Sequence, residues 1–333
     1  MNPGRLSYRQ LAKEAGVSFK TLYRVLNNEP SVRPATRDRV IRTLNLNGCS
    51  DGRLPKNKDI VIASGKNLYF KYWAEKFIHQ LSDYPNPLHL EDYAKDYAKF
   101  LLAVENAMAV VIFGPITETL YTELRRKNPD AQVINVSGGR GDVIIGVNYF
   151  DQGVMAAEYL HQMGHRDICI LTALELDRES RIFREAALCR IYGCAAILQY
   201  KYGLQNIERV YLNNLEQFLE KRRRALPTAF YAPNTYIARV TIRKISKLGL
   251  RYPEDYSILS TGLDTDSPFQ SHEYDFDCIY HKPAALADLA EHFLIKRILT
   301  GSIKHLTIQV DNYLHIAGTV KNRNENTKLK QGV

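Results

Sequence analysis

Apolar side chains recur at helical spacing near the start of the chain, and they predict three short helices. These helices cover roughly residues 8–15, 19–27 and 34–44. Ser7 and Ser18 have the side chains of helix N-caps, Gly16 is expected to end the first helix, and Pro34 to begin the third. Three helices this close together can enclose a small core of their own.

From residue 59 onward, short apolar runs alternate with amphipathic helical segments. The expected strands are 60–63, 109–113, 132–136, 143–147, 168–171, 229–231 and 257–260. The expected helices cover about 70–81, 117–126, 151–163, 180–191, 235–248 and 283–299. Because strands that alternate with helices form parallel sheets, this length of chain predicts two α/β lobes with a cleft between them.

Two segments lack any periodic pattern. Residues 46–58 are rich in Gly, Pro, Asn and Asp, which is typical of a linker. Residues 321–333 are polar and charged and are expected to be disordered. The predicted organisation is a helical headpiece, a linker, a two-lobed domain and a tail, at residues 1–45, 46–58, 59–320 and 321–333.

The positive charge of the chain is concentrated at its start. The net charge is +9, and residues 1–56 contain eleven Lys and Arg against four Asp and Glu, a net of +7. The remaining 277 residues therefore carry only +2. Because the basic segment also carries a helical pattern, it indicates a nucleic-acid interface rather than a solvated tail.

Composition excludes several classes of protein. The hydrophobic fraction of 45% and the charged fraction of 24% are ordinary for a globular protein. The chain has no run of eighteen apolar residues, so no membrane span is predicted. The first residues also lack the apolar core of a signal peptide, so a cytoplasmic location is expected. An odd number of cysteines without C-x-x-C spacing predicts reduced thiols, at Cys49, Cys169, Cys189, Cys194 and Cys278.

No pattern in the sequence predicts catalysis. His161 and His165 have the i, i+4 spacing of a helical metal site, but Gly164 interrupts it and no third acidic ligand is evident. The glycine-rich run at 138–141 lacks the Gly-Lys-Ser/Thr of a phosphate-binding loop. We therefore expect no enzyme activity, no metal and no cofactor.

Four motifs occur in order in the basic segment: A-G-V-S at 15–18, T-L-Y-R-V-L-N at 21–27, V-R-P-A-T-R at 32–37 and L-N at 44–45. Together they resemble the DNA-binding headpiece of the lactose-repressor (LacI/GalR) family of transcription regulators. The resemblance implies an all-α helix-turn-helix whose second helix lies in the major groove. It also implies a homodimer that binds a double-stranded DNA operator with inverted half-sites.

A recognition helix presents its first residues to base edges. Here those residues are Ser18, Phe19, Lys20 and Thr21. Lys20 can donate to guanine, Phe19 can meet thymine methyl groups, and Arg24 lies one turn further on. The family resemblance implies that the DNA backbone is contacted by Ser7, Tyr8, Asn27, Arg33 and Thr36.

The linker departs from the family, whose members form a hinge helix there and insert a leucine into the minor groove. Gly48, Gly52 and Pro55 are unfavourable in a helix interior. Leu54 is the remaining candidate for a minor-groove contact. We therefore expect an irregular hinge that bends DNA little.

Segments 146–168, 226–235 and 249–264 resemble the sensor domain of the same family. This implies a periplasmic-binding-protein-like fold of two doubly wound lobes, with a small effector of the carbohydrate class in the cleft. The implied effector contacts are Phe70, Trp73, Asp151, Arg181, Arg184, Asn234 and Asp264. Val147 and Thr235 stand where many members have Asp, so the effector is not identified.

Two other functions remain open beside an effector-controlled repressor. A sugar-binding protein of a transporter would have the same lobes, but the headpiece and the missing signal peptide oppose it. A regulator that has lost effector sensing would bind DNA constitutively, and the altered cleft residues are compatible with that.

Overall fold

The computed structural model describes residues 8–26, 29–46, 59–82, 84, 86–172, 181–205, 207–262, 276–300, 303 and 305–324. The chain divides into two compact units. The first contains residues 1–146 and 283–310, and the second contains residues 147–282 and 311–333. None of the helices in the described ranges is long and apolar enough to cross a membrane.

Three helices form the headpiece, as the sequence predicts. They are α1 (Tyr8–Glu14), α2 (Phe19–Leu26) and α3 (Pro34–Leu46). Leu11, Leu22 and Val40 pack between them and are almost fully buried. Gly16 has a φ of +60° after α1, a backbone conformation that favours glycine and lets the chain turn towards α2.

The first lobe is a six-stranded sheet of order β11-β5-β4-β3-β1-β2. Its elements are β1 (Asp59–Ser64), α4 (Leu68–Gln80), β2 (Leu88–Asp92), α5 (Tyr97–Glu105), β3 (Ala107–Phe113), α6 (Glu118–Lys127), β4 (Gln132–Val136) and β5 (Val143–Val147), followed much later by α11 (Pro283–Thr300) and β11 (Leu306–Val310). The pairs from β2 through β1, β3 and β4 to β5 are parallel. The chain runs outward from β1 in both directions, so the sheet is doubly wound.

The second lobe repeats this plan in the order β12-β10-β9-β8-β6-β7. Its elements are α7 (Tyr149–Gln162), β6 (Ile168–Thr172), α8 (Arg181–Ala196) continued by a π-helix (Ile197–Lys201), β7 (Ile207–Tyr211), α9 (Leu215–Lys221), β8 (Ala229–Ala232), α10 (Thr235–Ser246), β9 (Ser257–Thr261), β10 (Asp277–His281) and β12 (Asn312–His315). All its strand pairs are parallel except the antiparallel pair of β10 and β12. The predicted fold class, a helical headpiece with two doubly wound α/β lobes, is confirmed.

Helices α7 and α8 cross at very short range. A Cβ on Gly153 would overlap the carbonyl oxygen of Arg190 and lie 2.7 Å from the amide nitrogen of Cys194. A Cβ on Gly193 would likewise overlap the carbonyl oxygen of Phe150. Backbone therefore packs on backbone at this crossing, and only glycine fits at both positions.

The last described residues belong to the second lobe. The buried carboxylate of Asp277 accepts hydrogen bonds from the amides of residues 317–320. The amide of Lys321 then donates to Ser257 Oγ at 2.9 Å, and that of Arg323 donates to the carbonyl oxygen of Met163 at 2.8 Å. The disordered tail predicted from residue 321 was therefore placed too early, because composition does not reveal these backbone partners.

Candidate DNA-reading helix and effector-lobe residues

Helix α2 begins where the sequence places the start of a recognition helix. Ser18 caps it, because Ser18 Oγ accepts a hydrogen bond from the amide of Thr21 at 3.1 Å and lies 2.8 Å from Thr21 Oγ1. Leu22 and Val25 bury one face of the helix in the headpiece core. The positive end of the helix dipole and its free amides are thus held at a fixed position.

Two basic side chains project from the exposed face of α2. Lys20 and Arg24 lie one turn apart, and both are exposed. Arg24 Nε lies 3.5 Å from the carboxylate of Glu29, in an ion pair that is about half exposed on both sides. The ammonium group of Lys20 is therefore accessible to a base or a phosphate, whereas the guanidinium group of Arg24 is ion-paired with Glu29.

The start of α3 carries the next two predicted DNA contacts. Arg33 is exposed just before Pro34, and Thr36 is half-buried in the first turn. The amide of Thr36 donates to the carbonyl oxygen of Arg33 at 3.0 Å. An exposed cation at a helix N-terminus is suited to a phosphate contact.

The opposite edge of α2 contacts the first lobe. The Phe19 ring lies 5.5 Å from the Tyr84 ring, centroid to centroid, at an interplanar angle of 53°. Tyr23 Oη donates to Asn86 Oδ1 at 3.0 Å, and Tyr23 is only 6% exposed. Phe19 therefore packs against protein here, and its predicted contact with thymine methyl groups requires it to leave Tyr84.

Four predicted DNA contacts cannot be placed as side chains. Ser7, Asn27 and Leu54 lie outside the described residues. Tyr8 is the first residue of α1, and only its backbone is described. Their roles stay predictions.

The two aromatic residues predicted to cover a sugar ring are part of the first lobe's interior. Phe70 and Trp73 lie on α4 and are 8% and 7% exposed. Phe70 also faces Gly114, where an added Cβ would lie 3.2 Å from its ring. Trp73 Nε1 is buried and has no hydrogen-bond partner within the described parts of the chain. A ligand contact by either side chain stays a prediction, and their burial is that of core residues.

A polar pocket of about 450 Å³ occurs elsewhere in the first lobe, at the carboxyl ends of β1 and β2. Neither Phe70 nor Trp73 lines it. Its lining residues are Ser64, Lys71, Glu75, Leu90, Glu91, Asp92, Lys95, Asp96 and Lys99. Two ion pairs lie among these residues, since Lys99 Nζ donates to Glu91 at 3.0 Å and Lys71 Nζ lies 3.7 Å from Asp92. Sequence reasoning missed this pocket.

In the second lobe, Asp151 lies in the first turn of α7 and Asn234 is the N-cap of α10. Asn234 Oδ1 caps α10 by accepting from the amide of Ile237 at 2.8 Å. The amide of Asp151 donates to Asn148 Oδ1 at 3.1 Å, and Asp151 Oδ2 accepts from Asn312 Nδ2 at 3.1 Å. Both residues therefore have structural partners within their own lobe.

Three residues that sequence reasoning missed connect these two positions. Asn312 Oδ1 accepts from Gln152 Nε2 at 2.9 Å, and Gln152 Oε1 accepts from Arg190 Nε at 2.7 Å. Arg190 also donates to the carbonyl oxygen of Pro233 at 3.1 Å, directly before Asn234. A continuous hydrogen-bond network thus runs from Asp151 to the start of α10.

The remaining effector candidates cannot be placed as side chains. Arg181 and Arg184 lie in the first turn of α8, where only the backbone is described. Asp264 lies outside the described residues. Whether these groups face Asp151 or Asn234 stays a prediction.

The two histidines have partners other than a metal. The His161 ring stacks on Tyr202 at 3.6 Å between centroids. His165 is buried, with Nδ1 3.0 Å from Thr228 Oγ1, and burial together with the nearby Arg323 lowers its pKa to about 4. Within the described ranges, no three His, Cys, Asp or Glu side chains come together as metal ligands.

Comparison with known proteins finds family matches for two segments of the chain. Residues 9–45 match the family described as "Bacterial regulatory proteins, lacI family". Residues 157–312 match "Periplasmic binding protein-like domain". The HTH-type transcriptional repressor PurR of Erwinia tasmaniensis is 24% identical over 326 residues, covering 91% of this chain and 93% of that protein.

Solved structures show the same fold. The lac repressor dimer bound to operator and the anti-inducer ONPF has 17% identity and a TM-score of 0.61, covering 96% of this chain and 100% of that one. The complex of the transcriptional regulator CelR with cellobiose has 16% identity and a TM-score of 0.58, covering 95% and 100%. The headpiece motifs, the two sheets and these matches agree, and the chain is similar to lacI-family bacterial regulatory proteins in its headpiece and in its lobes.

Proposed function

We propose that this protein is a homodimeric transcriptional repressor that binds an operator with inverted half-sites and responds to a small polar effector. The observation that carries the DNA-binding part is helix α2, with its Ser18 cap and its exposed Lys20 and Arg24. It lies within the segment that holds +7 of the chain's charge. A capped, cationic helix at the surface of a helix-turn-helix is suited to the major groove.

The arrangement divides DNA contacts into two kinds. Lys20 would donate to a guanine and so specify sequence. Arg33, exposed beside the N-terminus of α3, would contact a phosphate and hold the headpiece in register. Two headpieces related by a twofold axis would then read two inverted half-sites. The lac repressor, which has a similar fold, is a dimer bound to operator.

Operator selection tests this function directly. The full-length protein is used to enrich duplexes from a random pool, and we expect an inverted repeat bound by two chains. Affinity should fall with salt by several units of log K per unit of log salt, since each neutralised phosphate contributes about −0.9. Weak, unselective binding with a flat salt response would refute the proposal.

The effector is proposed to be a small, hydroxyl-rich molecule of the carbohydrate class. The first-lobe pocket offers carboxylates and ammonium groups of nearly balanced charge, with two ion pairs among them, which suits a neutral polar ligand better than a strongly charged one. The second lobe offers the network through Asp151, Gln152 and Arg190. A related regulator, CelR, is known as a complex with cellobiose.

A regulator without effector sensing is the second candidate function. The burial of Phe70 and Trp73 favours it, because two of the predicted sugar contacts are core side chains. A screen of mono- and disaccharides against the full-length protein separates the two. An effector at a hundred times its Kd should stabilise the protein by about 2.7 kcal/mol and raise its melting temperature. No shift with any sugar, together with intact operator binding, would support constitutive binding.

The hinge is proposed to remain irregular on DNA, because Gly48, Gly52 and Pro55 oppose a helix there. Leu54→Ala should then cost less than about 1 kcal/mol of operator affinity, since no leucine is inserted between base pairs. A hundredfold loss with a sharply bent operator would show that the family hinge is retained.

A further inference from the structure

We propose that the first lobe holds the reading helix in a closed position, so that DNA must displace the lobe from Phe19 and Tyr23 before the helix can enter the groove. The inference rests on the proposed DNA-reading role of α2. It concerns the turn between α4 and β2, which carries Tyr84 and Asn86. We call this pair of residues the headpiece-docking turn.

Two contacts of different chemistry join α2 to the headpiece-docking turn. Phe19 packs its ring on Tyr84, and Tyr23 donates a hydrogen bond to Asn86 Oδ1. Phe19 and Tyr23 are four residues apart, so both lie on the same edge of α2. The Tyr23–Asn86 hydrogen bond is buried, which makes it costly to leave either group without a partner.

The headpiece-docking turn is itself fixed in place. Tyr84 Oη donates to Glu291 Oε1 on α11 at 2.8 Å, and Gln80 Nε2 at the end of α4 donates to the same carboxylate. Tyr84 is buried, and its amide donates to the carbonyl oxygen of Leu81 at 2.8 Å. The surface that receives α2 is therefore pre-organised, and α11 connects it to the segment where the chain returns from the second unit.

DNA and the lobe compete for the same edge of the reading helix. Phe19 is one of the first four residues of the reading region, beside Lys20, and a duplex that reaches Lys20 would have to occupy the space next to Phe19. The lobe leaves Lys20 and Arg24 exposed, so phosphates can still be attracted from a distance. The closed position would thus lower the affinity of the protein for DNA while keeping the long-range attraction between its basic side chains and the phosphates.

The test is a set of substitutions in the lobe, which leave the sequence of α2 unchanged. Asn86→Ala removes the acceptor of Tyr23, and Tyr84→Ala removes the ring beneath Phe19. Each should raise the affinity of the full-length protein for a mixed-sequence 30-base-pair duplex by roughly two- to tenfold, because a larger fraction of molecules is open. The salt dependence should stay that of the parent, since no phosphate contact is added. Fluorescence anisotropy gives both quantities.

Tyr97→Ala is the matched control. It removes a tyrosine of the same lobe whose ring contacts Phe100 on its own helix, and it should bind DNA as the parent does. If Tyr84→Ala fails to fold, Tyr84→Leu retains apolar volume while losing the aromatic contact. Melting curves confirm folding before affinities are compared.

The results distinguish this inference from the proposed function. A parent protein that binds no duplex at any salt concentration would refute DNA reading itself. If the parent binds DNA, both lobe variants bind it more tightly and Tyr97→Ala binds it equally well, the closed position is supported. Unchanged or weaker binding by either folded lobe variant would overturn it.

Discussion

Gly153 gives the sharpest test of the packing between α7 and α8. In Gly153→Ala the new methyl group would overlap the carbonyl oxygen of Arg190 and lie 2.7 Å from the amide nitrogen of Cys194. Ordinary contacts begin near 3.4 Å, so the helices must separate by at least about 0.7 Å. Both clashing atoms belong to the backbone, and no side chain can rotate away to make room.

The expected magnitude follows from two opposing effects. Ala is about 1 kcal/mol more favourable than Gly inside a helix, which alone would stabilise the variant. Overpacking costs about 1–3 kcal/mol even where side chains can adjust, and more where they cannot. Since the clash lies between two helix backbones, we expect a net loss of at least about 2 kcal/mol in the free energy of unfolding.

Urea denaturation followed by circular dichroism measures this loss. Gly146→Ala is the control, because a Cβ there meets nothing within 4 Å, and it should be neutral or slightly stabilising. Gly153 also adjoins Gln152, which accepts from Arg190 across the same helix pair, so Gly153→Ala should also disturb this hydrogen-bond network. A Gly153→Ala protein as stable as the parent would refute the close crossing.

Three further predictions concern charge and protonation. Lys20→Ala should relax selectivity at one base pair and cost about 1–3 kcal/mol, whereas Arg33→Ala should weaken all operator variants alike; a uniform loss in Lys20→Ala would contradict the reading-helix assignment. Glu29→Gln frees Arg24 from an exposed ion pair worth under about 1 kcal/mol, so anisotropy should show a few-fold gain for any duplex at low salt that vanishes at high salt. The pKa of His165 is lowered to about 4 in the folded protein, so on acidification the unfolded chain binds the proton at a higher pH than the folded protein does. The free energy of unfolding should therefore fall by about 2 kcal/mol from pH 7 to pH 5. An equal fall in His165→Gln would exclude this cause.

Most of the strands that sequence reasoning located are buried on both faces. Every residue of β3, β4 and β6 is buried, and such strands appear in the sequence as continuous apolar runs. The strands β2, β7, β10, β11 and β12 were not predicted. Of these, β2 and β7 lack a recognisable strand pattern. Both stand at sheet edges and mix exposed with buried positions, so L-H-L-E-D and I-E-R-V-Y show neither a continuous run nor a clean alternation.

The headpiece was predictable because its signals are local. A cap, a glycine at positive φ and a proline at a helix start act within a few residues, and Ser18, Gly16 and Pro34 each stand where the sequence places them. The polar contacts of the two lobes depend on distant partners instead. Gln152 meets Arg190 38 positions away and Asn312 160 positions away, and no local pattern contains such pairings.

Two aromatic residues on α4 show a different limit of prediction from sequence. Phe70 and Trp73 follow the first strand, where family resemblance suggests ligand contacts, yet their three-residue spacing also suits a core-facing stripe. Their low exposure agrees with the stripe. Sequence spacing alone cannot separate the two interpretations, because the same helix face serves either purpose.

The chain passes between the two units three times, after residues 146, 282 and 310. During synthesis, parts of both units are therefore completed late. Each sheet receives one edge strand from the same short stretch of chain, because β11 completes the first sheet and β12 the second, and together they span residues 306–315. The three headpiece helices, by contrast, have all been synthesised by residue 46. A premature stop codon before residue 306 would therefore leave both lobes open at an edge while the whole headpiece sequence is still translated. Such truncated products would expose strand edges that invite aggregation.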